Sequence, residues 1–154
     1  MKIKTIIIGL IFLILANCGY QPIYSGKDNI DLLINKIELE GDKNINRKII
    51  LLNNLKESDL QKNSYNLSLK SEKRISVIAK NKSGNPSIYR TTINVELTLK
   101  NADDLNKIYK TKNFSVNFTY NNVENKFDLQ QYQKEIEKNL IDNIVEKIEI
   151  FLNT

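Results

Sequence analysis

The chain has no histidine, no tryptophan and a single cysteine among its 154 residues. Each absence removes a class of function. Without histidine there are no histidine-based triads or imidazole metal sites, and the usual general base near neutral pH is missing. With one cysteine there is no intramolecular disulfide, so the fold must rest on packing. Only five glycines and two prolines are present, and no glycine-rich phosphate loop appears among them. Carboxylates are plentiful, but they are scattered over polar faces rather than clustered. A carboxylate-dependent hydrolase is therefore the weakest reading, and the chain is expected not to be an enzyme. No cofactor, metal or nucleic-acid partner is expected.

The one cysteine is placed informatively. Lys2 and Lys4 precede an apolar run from Ile6 to Ala16, and Asn17-Cys18 follows. This is the charged-then-apolar layout of a secretory signal. As a helix the run is about 16 Å long, against roughly 30 Å of bilayer hydrocarbon, so it spans poorly as a mature anchor. The layout predicts a bacterial lipoprotein signal at 1–17, cut before Cys18, with lipid attached to the Cys18 thiol. Ala16 fits the small residues expected before the cut, whereas Asn17 departs from them. The alternative is a secretory signal cut elsewhere, or an uncleaved anchor. Each buried methylene of a lipid chain contributes about 0.8 kcal/mol, so two or three chains hold the protein durably to a membrane surface. Gly19-Tyr20 follows the cysteine, and the absence of Asp there favours the outer membrane.

The basic excess is mild. Lys2 and Lys4 leave with the leader and no acid does, so 21 basic face 18 acidic side chains in the mature chain. That suits an anionic partner without demanding one. The sequence is also rich in Asn, Lys and Ile, as AT-rich coding alone produces, so the lysine count is a weak signal.

Downstream, 18–31 reads as an extended, lipid-anchored lead-in with Pro22 and turn chemistry at 25–28, and 32–154 as one domain. A strand is expected with Leu33, Ile37 and Leu39 on one face, ended by Gly41-Asp42. A helix over about 46–60 carries Ile45, Ile49, Leu52 and Leu55, and Ile50 and Leu51 widen the stripe toward burial. Three alternating strands follow. The first groups Tyr65, Leu67, Leu69, Ile75, Val77 and Ala79. The second alternates cleanly, with Tyr89, Thr91, Ile93, Val95, Leu97 and Leu99 opposite Arg90, Thr92, Asn94, Glu96, Thr98 and Lys100. The third groups Ile108, Phe114, Val116, Phe118 and Tyr120, of which the aromatics read as core. Ser83-Gly84-Asn85-Pro86 supplies the hairpin turn between the first two. A long helix from about Asp128 closes the chain, with Asp128 and Gln131 resembling a capping box. Its stripe runs through Leu129, Tyr132, Ile136, Leu140, Ile144, Ile148 and Phe151. Strands apolar on one face, with helices carrying matching stripes, predict an α+β, two-layer sandwich. Its four-stranded, mostly antiparallel sheet is covered on one face by two helices, in the order β-α-β-β-β-α.

Cys18-Gly-Tyr-Gln-Pro-Ile-Tyr24 resembles the mature start of lipopolysaccharide-assembly lipoproteins of the LptE family, and the same element order continues through the mature chain. Tyr89-Arg-Thr-Thr-Ile-Asn-Val-Glu-Leu-Thr-Leu99 resembles that family's central strand. Phe118-Thr-Tyr120, a polar linker and the amphipathic last helix also fit. The resemblance implies a plug and assembly partner of a large outer-membrane β-barrel of the LptD type, helping deliver lipopolysaccharide to the outer leaflet. Some members bind lipopolysaccharide through basic residues near the corresponding turn and before the last helix. Here those regions hold Lys80, Lys82 and Arg90, then Lys126. Solvated turn lysines, or pairing of Arg90 with an exposed acid such as Glu96, are the structural alternatives. Tyr20 and Tyr24 are candidates for the barrel or membrane interface, or for closing the core. The competing role is an accessory lipoprotein of another envelope complex, in transport or barrel assembly.

Overall fold

The computed structural model describes residues 32–58 and 64–153. They form β1 (Ile34–Gly41), α1 (Lys43–Leu52), β2 (Tyr65–Lys80), β3 (Pro86–Asn101), β4 (Ile108–Asn121) and α2 (Lys126–Asn153). The sheet order is β1-β2-β3-β4. β1 runs parallel to β2, while β2–β3 and β3–β4 are antiparallel. The parallel pair requires a crossover, and α1 supplies it. The result is the expected α+β sandwich with both helices on one face.

The clean alternation of β3 is fully expressed. Thr91, Ile93, Val95, Leu97 and Leu99 are all buried beneath the helices. From α2, Ile136, Leu140, Ile144 and Ile148 come down on them, joined by Ile141 and Leu152. At about 25 cal/mol per Å² of apolar surface, this layer dominates the favourable side of folding.

Several local expectations are corrected. In β1 the buried residue is Ile34, while Leu33 is exposed. A register irregularity between Ile34 and Lys36 brings Ile34 onto the side of Ile37 and Leu39, because an inserted residue flips side-chain parity. Leu39 shares that side but remains exposed at the free edge. α1 begins and ends earlier than the periodicity suggests. Asp42 Oδ1 accepts hydrogen bonds from the N–H groups of Asn44 and Ile45 at 3.0 and 3.1 Å, the standard satisfaction of orphan N-terminal donors. Asn53 follows the last turn, and Asn54 adopts φ +53°, which a helix cannot continue. Only Ile45, Asn46 and Ile49 of α1 are buried, and Leu51 is 74% exposed. The helix is thus narrower in its apolar contact than its composition implies. In β4, Phe114 and Tyr120 are core, but Phe118 is 46% exposed. α2 starts ahead of Asp128. Asn125 precedes it, with Oδ1 accepting from the Phe127 N–H at 2.8 Å, so Asp128 sits inside the first turn instead of capping it.

Lengths differ in a way that matters below. At about 3.4 Å per residue, β2 and β3 are each roughly 54 Å long, whereas α1 is about 15 Å. β1 pairs with β2 only as far as Gly41 opposite Ser71. The far half of β2 therefore outruns both its strand neighbour and α1.

Candidate functional site

Two surfaces carry the polar chemistry: the open face of the sheet and its far end. The open face is built by the alternate residues that the core leaves outward. Across the sheet, Glu40, Lys70, Glu96 and Asn113 fall in one row, and Glu72, Asn94 and Ser115 in the next. Lys70 Nζ meets Glu40 at 2.6 Å and Lys36 meets Glu38 at 2.9 Å. Ser115 Oγ donates to Asn94 Oδ1 at 2.7 Å, and the Thr98 and Thr111 hydroxyls lie 2.9 Å apart. The Glu40 and Glu38 carboxylates hold Lys70 and Lys36 above the usual lysine range, first through the hydrogen bond and then through charge. Lys36 lowers Glu38 in the same way. These pairs are solvent-exposed and contribute little to stability; they lie on a face that is largely polar, with Ile88 and Ile108 among its outward residues.

The far end is organised by asparagines. Asn81 Oδ1 accepts from the Ser83 and Asn85 N–H groups at 3.0 and 2.9 Å, and Gly84 takes φ +81°. Asn122 clamps the end of β4 onto the start of β3, its N–H donating to Ser87 O and its Nδ2 to Pro86 O. This clamp brings the β4–α2 connection beside the β2–β3 turn. Lys80 ends β2, Lys82 lies in the turn and Lys126 opens α2; the topology gathers all three at one end, each exposed. A positive side chain in the first turn of α2 opposes the helix dipole. Arg90 lies further back on the open face, opposite Ser76 and Thr119. Its Nε donates to Thr119 Oγ1 at 3.1 Å. Glu96 lies six residues along the strand, about 20 Å away, so Arg90 does not pair with it. Cys18, Tyr20 and Tyr24 lie outside the described residues.

Sequence reasoning missed the structuring roles of Asn81 and Asn122, and an apolar element of this end. Ile75, Val77 and Ile78 are each nearly half exposed and Phe127 is 65% exposed. A signal existed for two of them. Ile78 breaks the alternation of β2, which shifts register between Val77 and Ala79, and Phe127 falls outside the stripe of α2. An open groove also runs along the β4 edge beneath α2, with Val116, Phe118, Tyr132 and Leu140 in its walls and Lys147 at its rim.

No family model and no curated protein matches the sequence. Solved structures do match the fold. The chain is similar to the rare lipoprotein B from Shewanella oneidensis, at 17% identity and a TM-score of 0.56, over 74% of this chain and 90% of that one. It is also similar to an uncharacterized lipoprotein B from Nitrosomonas europaea, at 11% identity and a TM-score of 0.55, over 79% and 83%. A third match is a putative lipoprotein from Caulobacter crescentus, at 12% identity and a TM-score of 0.51, over 75% and 86%. The fold is therefore one that several bacterial lipoproteins share.

Proposed function

We propose that this chain is an outer-membrane lipoprotein, anchored through Cys18, that acts as plug and assembly partner of a lipopolysaccharide-export β-barrel of the LptD type. In this role it helps deliver lipopolysaccharide to the outer leaflet. The observation that carries the reading is the open sheet face. It is long, flat in chemistry, lined by Asn, Ser, Thr and paired charges, and suited to the wet interior of a large barrel. The leader, the Cys18-Gly-Tyr opening and the likeness to lipoprotein folds support the membrane-anchored placement. Lys80, Lys82 and Lys126 at the far end suit phosphate groups as point charges, and Arg90 adds a planar donor set.

Affinity capture through a C-terminal tag from solubilised outer membranes tests the role. A barrel partner at equal stoichiometry, with a lipid-modified Cys18 peptide, is the expected result. Recovery of a different envelope complex with the same modified cysteine would leave the lipoprotein and remove the plug. Replacing Lys82 and Lys126 with Glu is expected to weaken lipopolysaccharide binding severalfold while sparing barrel capture. Loss of capture with an intact fold would assign these lysines to the protein interface instead.

A further inference from the structure

Beyond Ser71, no described residue pairs with the outer edge of β2, because β1 stops at Gly41. The Ser71 carbonyl accepts the Asp42 N–H at 3.1 Å, so the backbone groups of Ser71 point outward. By the two-residue repeat, those of Lys73, Ile75 and Val77 do too. Natural edges are commonly blunted by inward-pointing charges. Here Lys73, which occupies that position, is drawn back onto α2 by Glu137 at 2.7 Å. What remains at the edge is Ile75, Val77 and Ile78, all exposed. Phe127 lies one helical turn before Gln130, which lines the shallow cleft beside Ile75.

We propose that this edge pairs antiparallel with the same edge of a second copy of the chain, about a two-fold axis at Ser76. The register is selected by the sequence itself. Outward-pointing residues must face one another to exchange backbone hydrogen bonds, and Ile75 opposite Val77 of the second copy does so twice. Past Val77 the strand is irregular, but its pairing is back in step at Lys80 opposite Pro86, so the same register sets Glu72, which also meets Arg74 at 3.3 Å, opposite Lys80 at both ends, and places the small Ser76 against itself at the centre. Shifting it by two residues toward the start of β2 would oppose Arg74 to Arg74, a like-charge pair that costs stability. Such a dimer covers the apolar edge in a chain not engaged elsewhere, forming one continuous sheet through two copies.

The test uses the full chain purified from membranes in detergent. In the proposed register, two Ser76 residues form a non-hydrogen-bonded pair with Cα atoms about 4.5 Å apart, within disulfide range. Two Arg74 residues would be about 14 Å apart, well beyond it. Under mild oxidation, Ser76→Cys is expected to crosslink at least about tenfold faster than Arg74→Cys. The unsubstituted chain reports any background through Cys18. By sedimentation, Glu72→Lys is expected to weaken dimerisation about fivefold, and adding Lys80→Glu to restore it. Circular dichroism checks that each variant is folded. Equal crosslinking at the two positions would overturn the proposal, as would a double swap that fails to restore association. A monomer whose β2 edge is held by a different protein would overturn it too. None of these outcomes bears on barrel capture, which tests the proposed function separately.

Discussion

Gly41 is where the fold can be broken most sharply by one methyl group. It has φ +88°, and a Cβ built there would lie 1.9 Å from the Ser71 carbonyl oxygen. The left-handed conformation alone costs an L-residue about 1–2 kcal/mol. The clash adds a backbone displacement of more than an ångström, because the obstructing atom is main chain. That displacement stretches the Asp42 N–H bond to Ser71 O and the Ser71 Oγ–H bond to Asp42 O, both 3.1 Å, each worth about 1 kcal/mol. Gly41→Ala is therefore expected to lose about 3–4 kcal/mol, a large share of the ~5–15 kcal/mol typical of a small domain. The melting temperature should fall by about 10–15 °C. Gly84→Ala supplies the control. It has nearly the same φ, +81°, but nothing within 4 Å of the added carbon, so only the conformational cost of about 1–2 kcal/mol applies. Urea unfolding of both variants gives the difference directly. Equal losses at the two positions would refute the close approach of Gly41 to β2, and with it the abrupt end of β1.

Tyr120→Phe should cost about 1–2 kcal/mol by chemical denaturation. Its hydroxyl lies 3.2 Å from the buried Thr91 hydroxyl and accepts from Gln133 Nε2 at 2.9 Å; a loss near zero would show that Thr91 has another partner. Alkaline stability offers a second check. Burial, then the neighbouring Tyr109 phenol, raises Tyr65 above its ordinary value of 10.0. A raised folded-state value means that the stabilisation is complete below the unfolded value and is lost as pH rises through the folded one. The urea midpoint should thus fall less steeply above about pH 10 in Tyr65→Phe than in the unsubstituted chain. Parallel curves would show that the Tyr65 hydroxyl is equally solvated in both states.

Element order, the buried faces of β3 and α2, and the two-layer arrangement follow from local periodicity, which is why they could be read directly. Alternation over Tyr89 to Leu99 assigns every β3 side chain to a face without reference to any other part of the chain. Where local reading failed, the deciding interaction was nonlocal or a single capping group. One inserted residue beside Asn35 put Ile34 rather than Leu33 in the core. Asp42 and Asn54 set the ends of α1 against its hydrophobic pattern. Apolar alternation at Ile75 and Val77 predicted burial, yet burial needs a cover, and α1 is too short to provide one. The grouping of Lys80, Lys82 and Lys126 was likewise visible only once Asn122 tied the end of β4 to the start of β3. The sequence by itself thus determined which residues alternate and where the sheet turns, because these depend on neighbours a few positions away. Only the tertiary structure decided which apolar residues stay uncovered and which charges share an end, because both depend on the unequal lengths of strands and helices packed against one another.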